Sequence, residues 1–315
     1  MVADLARADV ILIGEQHDDP NTHRLELAVL EGLARRNVSV TLSLEMFERD
    51  VQRSVDTYMA GSAAEDEFLK NSRPWPRYAT DYRPLVEFAR ARRWPVVAAN
   101  VPRRIAADVA KAGKPAVESL NAADRSLAAA DLECPHDAYF DRFAEQMGGH
   151  QASAGSSADT TTERYYWAQC IKDETMAESI ADAFTKFAGR PGVVVHVTGA
   201  FHSEYGEGTG ERVRRRLAGR RVGTVSMMPV ENLDAITPQS PDLRRADYLV
   251  YTVKRARQLP ATSFQLPASS YRLHFNLSGI SATTYAITAI AADARDMSIG
   301  SILSMVSAGV WWMRK

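Results

Sequence analysis

Six short aliphatic runs, each followed by a turn signal and then a helical pattern, constrain this chain more than any other feature. They are Val10 to Ile13, Val40 to Leu44, Val96 to Ala99, Val193 to Val197, Val222 to Met227 and Tyr248 to Val253. Uninterrupted apolar strands of this length suit a parallel sheet covered on both faces, since neither face then presents side chains to water. Between the first two runs, Thr22 to Arg35 places Leu25, Ala28, Val29 and Leu33 at helical spacing. The opening therefore reads as a βαβ unit with a right-handed crossover. Alternation then stops, and the periodicity predicts helices over 104–112, 121–129, 136–148 and 163–188. The expected fold is α/β: a mostly parallel sheet flanked by helices, with an inserted all-helical subdomain.

These patterns divide the 315 residues into one folded unit over 8–254 and a tail over 255–315 of unknown role. Within the unit, 8–103 and 190–254 form the sheet core and 104–189 the helical insertion. Ala152 to Thr162 is small, polar and aperiodic, and predicts a flexible connector. In the tail, 276–292 and 297–313 carry no charge, but both are slightly short for a spanning helix and rich in Ser, Thr and Gly. Packing onto a partner, or poor order, is the expectation there.

Thirty-eight basic and thirty-nine acidic residues leave a net charge of −1, which argues against an electrostatic grip on nucleic acid. Cys134 and Cys170 are too few for a disulfide framework and lack metal-type spacing, so buried thiols are expected. The start, Met-Val-Ala-Asp-Leu-Ala-Arg-Ala-Asp, lacks the apolar run of an export signal. The chain as given reads as cytoplasmic; a longer native N-terminus would make it periplasmic or membrane-anchored.

Four strand ends carry chemistry. The first runs into Gly14-Glu15-Gln16-His17, the second ends at Glu45, the third at Asn100, and the fourth enters Thr198-Gly199-Ala200-Phe201-His202. Parallel strands bring their C-termini to one sheet edge, where open α/β sheets bind ligands. Glu15, Glu45, His17 and His202 offer ligands for a divalent metal, or a carboxylate base beside an imidazole acid. On the long helix, Gln169, Asp173 and Met176 recur at i, i+4 and i+7 and share one face. No nucleophile elbow, Walker A loop, G-x-G-x-x-G or H-E-x-x-H motif is present.

The order of G-E-Q-H-D, S-L-E-M-F, A-A-N-V-P-R, A-Q-C-I-K-D-E-T-M-A and V-T-G-A-F-H-S resembles the ChaN-like haem-binding uptake family, related to the Tiki and TraB proteins and remotely to erythromycin esterases. The resemblance covers about residues 8–254. It implies haem binding in bacterial iron acquisition, with homodimers enclosing a pair of stacked haems. It implies tyrosine ligation of ferric iron, with Tyr165 or Tyr166 preferred and Tyr139 a third candidate. His136 and His150 could ligate or flank the haem, beside the Gln169, Asp173 and Met176 face. Tiki-like relatives imply a second reading, a metal-dependent hydrolase using Glu15, Glu45 and His202 around a divalent ion, with His17 in the same machinery. Surface anchoring lacks the lipobox cysteine that the family's lipoproteins carry. Arg212, Arg214, Arg215, Arg216, Arg220 and Arg221 form a basic cluster that reads as a solvated helix face.

Overall fold

The computed structural model describes residues 1–148, 157–186, 192–253 and 310–314. Each apolar run forms a strand: β1 (Val10–Glu15), β2 (Ser39–Glu48), β3 (Val96–Asn100), β4 (Gly192–Gly199), β5 (Val222–Val230) and β6 (Tyr248–Val253). A seventh, β7 (Val310–Arg314), pairs antiparallel with β6, so that the order is β3-β2-β4-β1-β5-β6-β7. The first six are mutually parallel. Of the uncharged tail, only these last residues are described, and they extend the sheet, a role the tail's composition did not predict.

Strand alternation sorts β1 between two helical layers. Ile11 and Ile13 pack with Leu25, Val29, Leu30 and Leu33 of helix α1 (Pro20–Arg35). Val10 and Leu12 pack on the opposite face with Ala177, Ile180 and Ala183 of the long helix and with Val213. All of these side chains are buried, and each Val, Leu or Ile contributes roughly 1.5–3 kcal/mol by leaving water. Helix α1 begins with Pro20 at its first position and Asp19 as its cap, accepting from the Asn21 N–H, as a helix N-terminus requires.

Between β3 and β4 no described residue lies in a strand, and helices alternate with irregular segments, the longest described one over 126–137. The insertion includes α2 (Arg103–Ala112), α3 (Ala138–Gln146) and α4 (Ser157–Lys186), with two short helices at Lys114–Glu118 and Ala122–Arg125. Helix α4 begins six residues earlier than the pattern predicts, taking in part of the expected connector; Ser, Asp and Thr are at home in a first turn. The second predicted helix shrinks to Ala122–Arg125. Residues 152–156 of the connector and His150 lie outside the described residues.

Two further expectations are corrected. Cys134 and Cys170 are not thiols but a disulfide tying the segment before α3 to the middle of α4; thirty-six residues of separation hid a proximity that only the folded insertion creates. The basic cluster is not a uniformly solvated face either. Arg212, on helix α5 (Thr209–Arg216), is buried, and Arg212, Arg215 and Arg216 all converge on buried Glu174 of α4. Among the described residues, no helix is long and apolar enough to cross a membrane.

Candidate functional site

The chain leaves β1 to pass over β4 into β2, and leaves β4 to pass over β1 into β5. The border of β1 and β4 is therefore a topological switch point, where open α/β sheets place their ligand crevice. Register puts Glu15 beside Gly199, and Leu44, one residue before Glu45, beside Val197. Three neighbouring strands thus bring Glu15, Glu45 and the Gly199–His202 turn to one rim, with Asn100 on the next strand.

Above that rim lies a cleft of about 550 Å³, lined among others by His17, Glu45, Trp75, Asn100, Gln169 and His202. Its outer wall comes from the insertion: Ala106, Ala107 and Ala110 of α2, Phe143, Met147, and Tyr165, Ala168 and Lys172 of α4. Arg103 and Glu48 stand at the same wall and are paired at 3.8 Å. Met147 and Tyr165 are 46% and 44% exposed, two of the three large apolar side chains most open to solvent among the described residues.

Gly199 makes the centre possible. A Cβ there would sit 2.9 Å from His17 Nε2, so a side chain would drive that imidazole aside, and would touch His202 Cδ2 at an ordinary 3.7 Å. Gly14 is equally confined, by the Ser203 hydroxyl and the Ala200 backbone.

Each ring is held from behind. His17 Nδ1 lies 2.6 Å from Glu15 Oε1, which also accepts from the Tyr82 hydroxyl at 2.7 Å. His202 Nδ1 lies 2.7 Å from Asp173 Oδ1. Asp173 also accepts from Thr209 and Tyr139, both at 2.7 Å, and the Gln169 amide donates to the Tyr139 hydroxyl at 3.1 Å. Glu45 Oε2 accepts from the Thr198 hydroxyl and the Gly199 N–H, leaving Oε1 at 3.6 Å from His202 Nε2.

Burial alone would lower the pKa of both imidazoles, but the carboxylates reverse it. His202 titrates above its ordinary value because Asp173 and Glu45 face it, and His17 because of Glu15 and Glu45. Glu45 falls below its ordinary value although burial opposes this, through His202, His17 and its two hydrogen bonds. The floor is thus an ionised carboxylate between two imidazoles that favour their charged forms, and the wall adds Lys172 and Arg103. Such a cleft favours an anionic ligand with an apolar body.

The predicted residues divide accordingly. His17, Glu45, His202, Gln169 and Tyr165 line the cleft. Glu15 and Asp173 are buried behind it as partners of the two histidines, and Met176 is buried against Thr198. Tyr139 is buried on Asp173, and Tyr166 is fully buried, donating to the Pro135 carbonyl at 2.7 Å. Burial keeps the Tyr166 phenol well above its ordinary pKa. His136 pairs with Glu163 and stacks on Phe140, and it does not line the cleft. Glu45 and His202 approach each other, but Glu15 does not join them in a set of three ligand atoms all within 4.8 Å; among the described residues, only Glu15, His23 and Glu26 form such a set.

Sequence reasoning did not single out Trp75, Arg103 or Lys172, which line the cleft from three separate elements. It also passed over His23 and Glu26, whose i, i+3 spacing on α1 was a readable signal.

A family model described as haem-binding uptake, Tiki superfamily, ChaN matches residues 1–213. Among solved structures, one titled cofacial heme binding to ChaN of Campylobacter jejuni superposes with a TM-score of 0.56 at 14% identity, covering 79% of this chain and 89% of that one. At that identity the likeness is one of fold. Among curated proteins, the chloroplastic protein RETICULATA-RELATED 5 of Arabidopsis thaliana is 26% identical over 264 residues, which are 80% of this chain. The chain spans 35% of that relative's length.

Proposed function

The chain belongs to the ChaN haem-binding uptake family of the Tiki superfamily, and we propose that its cleft receives ferric haem, with the Tyr165 phenol as the oxygen donor to iron. The observation that carries this reading is that one cleft joins an exposed tyrosine and methionine lip to the imidazoles of His17 and His202 and the side chains of Arg103 and Lys172. Tyr139 and Tyr166 have their hydroxyls engaged inside the insertion, whereas Tyr165 is 44% exposed at the cleft wall. Its hydroxyl oxygen is therefore the phenolic donor accessible to a ligand there.

The residues present fit the group. Ala106, Ala107, Ala110 and Ala168 leave a shallow apolar wall without bulky side chains, and Phe143 and Met147 extend it. Soft, adaptable Met and flat aromatic rings pack well on a planar macrocycle. Arg103 and Lys172 supply the cations for two propionates. Bound haem would supply a ferric Lewis-acid centre, for which an anionic oxygen is a suitable ligand. His17 and His202, fixed by Glu15 and Asp173, would present positively biased imidazoles in the same cleft. Uptake of haem is the biological role, and a second copy of the chain shields the open lip around Met147 and Tyr165. Cofacial haem binding by ChaN of Campylobacter jejuni is compatible with a cleft whose lip is open to a partner.

Titration of the purified chain with hemin tests this. The expected result is a saturable shifted Soret band that weakens at least tenfold in Tyr165→Phe and not in Tyr166→Phe, together with haem-dependent doubling of mass by light scattering. Absence of saturable binding overturns the reading.

A further inference from the structure

Behind the cleft, on the side of Glu15 away from His17, lies a separate cluster formed by the end of β1 and the first two turns of α1. Glu15 and Glu26 are 1% and 0% exposed, and His23, 6% exposed, stands between them. His23 Nδ1 lies 3.6 Å from Glu15 Oε2 and 3.2 Å from Glu26 Oε2. Glu15 Oε2 and Glu26 Oε1 are buried and accept no hydrogen bond. No lysine or arginine among the described residues pairs with either glutamate; the nearby Arg77 is taken by Asp81.

Both ring nitrogens of His23 face acceptors: Nε2 the His17 carbonyl at 3.4 Å and Asp81 Oδ2 at 3.5 Å, Nδ1 the two glutamates. A proton on Nε2 is satisfied on that side, so Nδ1 is free to act as a ligand. Two buried carboxyls with an unpartnered oxygen each then meet that nitrogen in one small space, an arrangement that a cation between them would stabilise.

We propose that Glu15, His23 and Glu26 form a buried site for a divalent first-row cation of the Mn²⁺ or Zn²⁺ class, distinct from the haem cleft. Two carboxylates and one imidazole are a borderline-hard donor set suited to such ions. Ligand atoms bound at about 2.1 Å in tetrahedral array lie ~3.4 Å apart, close to the two separations found here. The ligand atoms of all three residues lie within 4.8 Å of one another. The ion neutralises two buried carboxylates whose pKa values burial otherwise pushes up to about 8. It also fixes Glu15, whose other oxygen holds His17 in the cleft, so the cation acts as a positioning element for that imidazole.

The test uses the full chain, stripped with EDTA and titrated with Mn²⁺ and Zn²⁺ by calorimetry. One equivalent is expected in the wild type and in His202→Ala, with at least tenfold weaker uptake in Glu26→Gln. Mn²⁺ bound to the wild type is expected to show spin-echo modulation from a single imidazole nitrogen, a readout that survives any failure of the variant to fold. No uptake by the wild type leaves a proton as the occupant and overturns the proposal. Uptake lost in His202→Ala, or modulation from no imidazole or from two, places the ion elsewhere and also overturns it. Hemin binding is read separately, so either proposal can fail alone.

Discussion

His202 Nδ1 and Asp173 Oδ1 stand 2.7 Å apart, joining the turn after β4 to the middle of α4. Both groups are buried, so the contact couples the position of a cleft imidazole to the docking of the inserted helices on the sheet.

Burial opposes the charged form of each partner, but their attraction prevails, raising His202 above its ordinary 6.5 and lowering Asp173 below its ordinary 3.8. The His202 contribution to stability is complete below pH 6.5 and is lost as pH climbs through the raised folded value. The Asp173 contribution is complete above pH 3.8 and is lost as pH falls through its depressed value. Urea unfolding is expected to show the largest gap between wild type and Asp173→Asn between those limits, about 3–5 kcal/mol for a broken buried pair. A gap that does not shrink at pH 9 contradicts this.

Gly199→Ala places a methyl 2.9 Å from His17 Nε2. The expected cost is about 1–3 kcal/mol of stability, as in other overpacked sites. Hemin affinity is expected to fall with it as His17 is displaced; a crystal structure of the variant with the ring unmoved would refute this.

The cations of the cleft separate from its iron donor. Arg103→Ala with Lys172→Ala is expected to weaken hemin binding about thirtyfold without altering the Soret position, since each of the two charges contributes on the order of 1 kcal/mol. Tyr165→Phe is expected to alter the position itself. Absorption spectra at saturation distinguish the two.

Thiol titration of the unfolded chain is expected to find none before reduction and two after it, from Cys134 and Cys170. By the chain-entropy account, a loop of 36 residues implies a loss of ~4 kcal/mol on reduction. Unfolding curves with and without reductant measure it.

The strands were legible because burial on both faces writes itself into a strand as an unbroken Val and Ile run, as at Val193 to Val197. Their polar ends were legible for a related reason: Glu15, Glu45 and His202 follow such runs directly, and parallel pairing fixes which edge they share. What was illegible depends on packing between distant segments. Nothing local to Tyr166 distinguishes it from Tyr165, yet one turns into the insertion and the other into the cleft. Arg212 reads as one more surface arginine until Glu174 is brought beneath it. β7 carries none of the flanking signals of the other strands, since it borrows its order from the exposed backbone of β6.

That borrowed strand has a cost if it is trimmed. β6 would then offer its N–H and C=O groups to whatever extended backbone arrives first, and shortened chains would be prone to join edge to edge. A variant ending near residue 256 would thus risk false oligomers unrelated to haem.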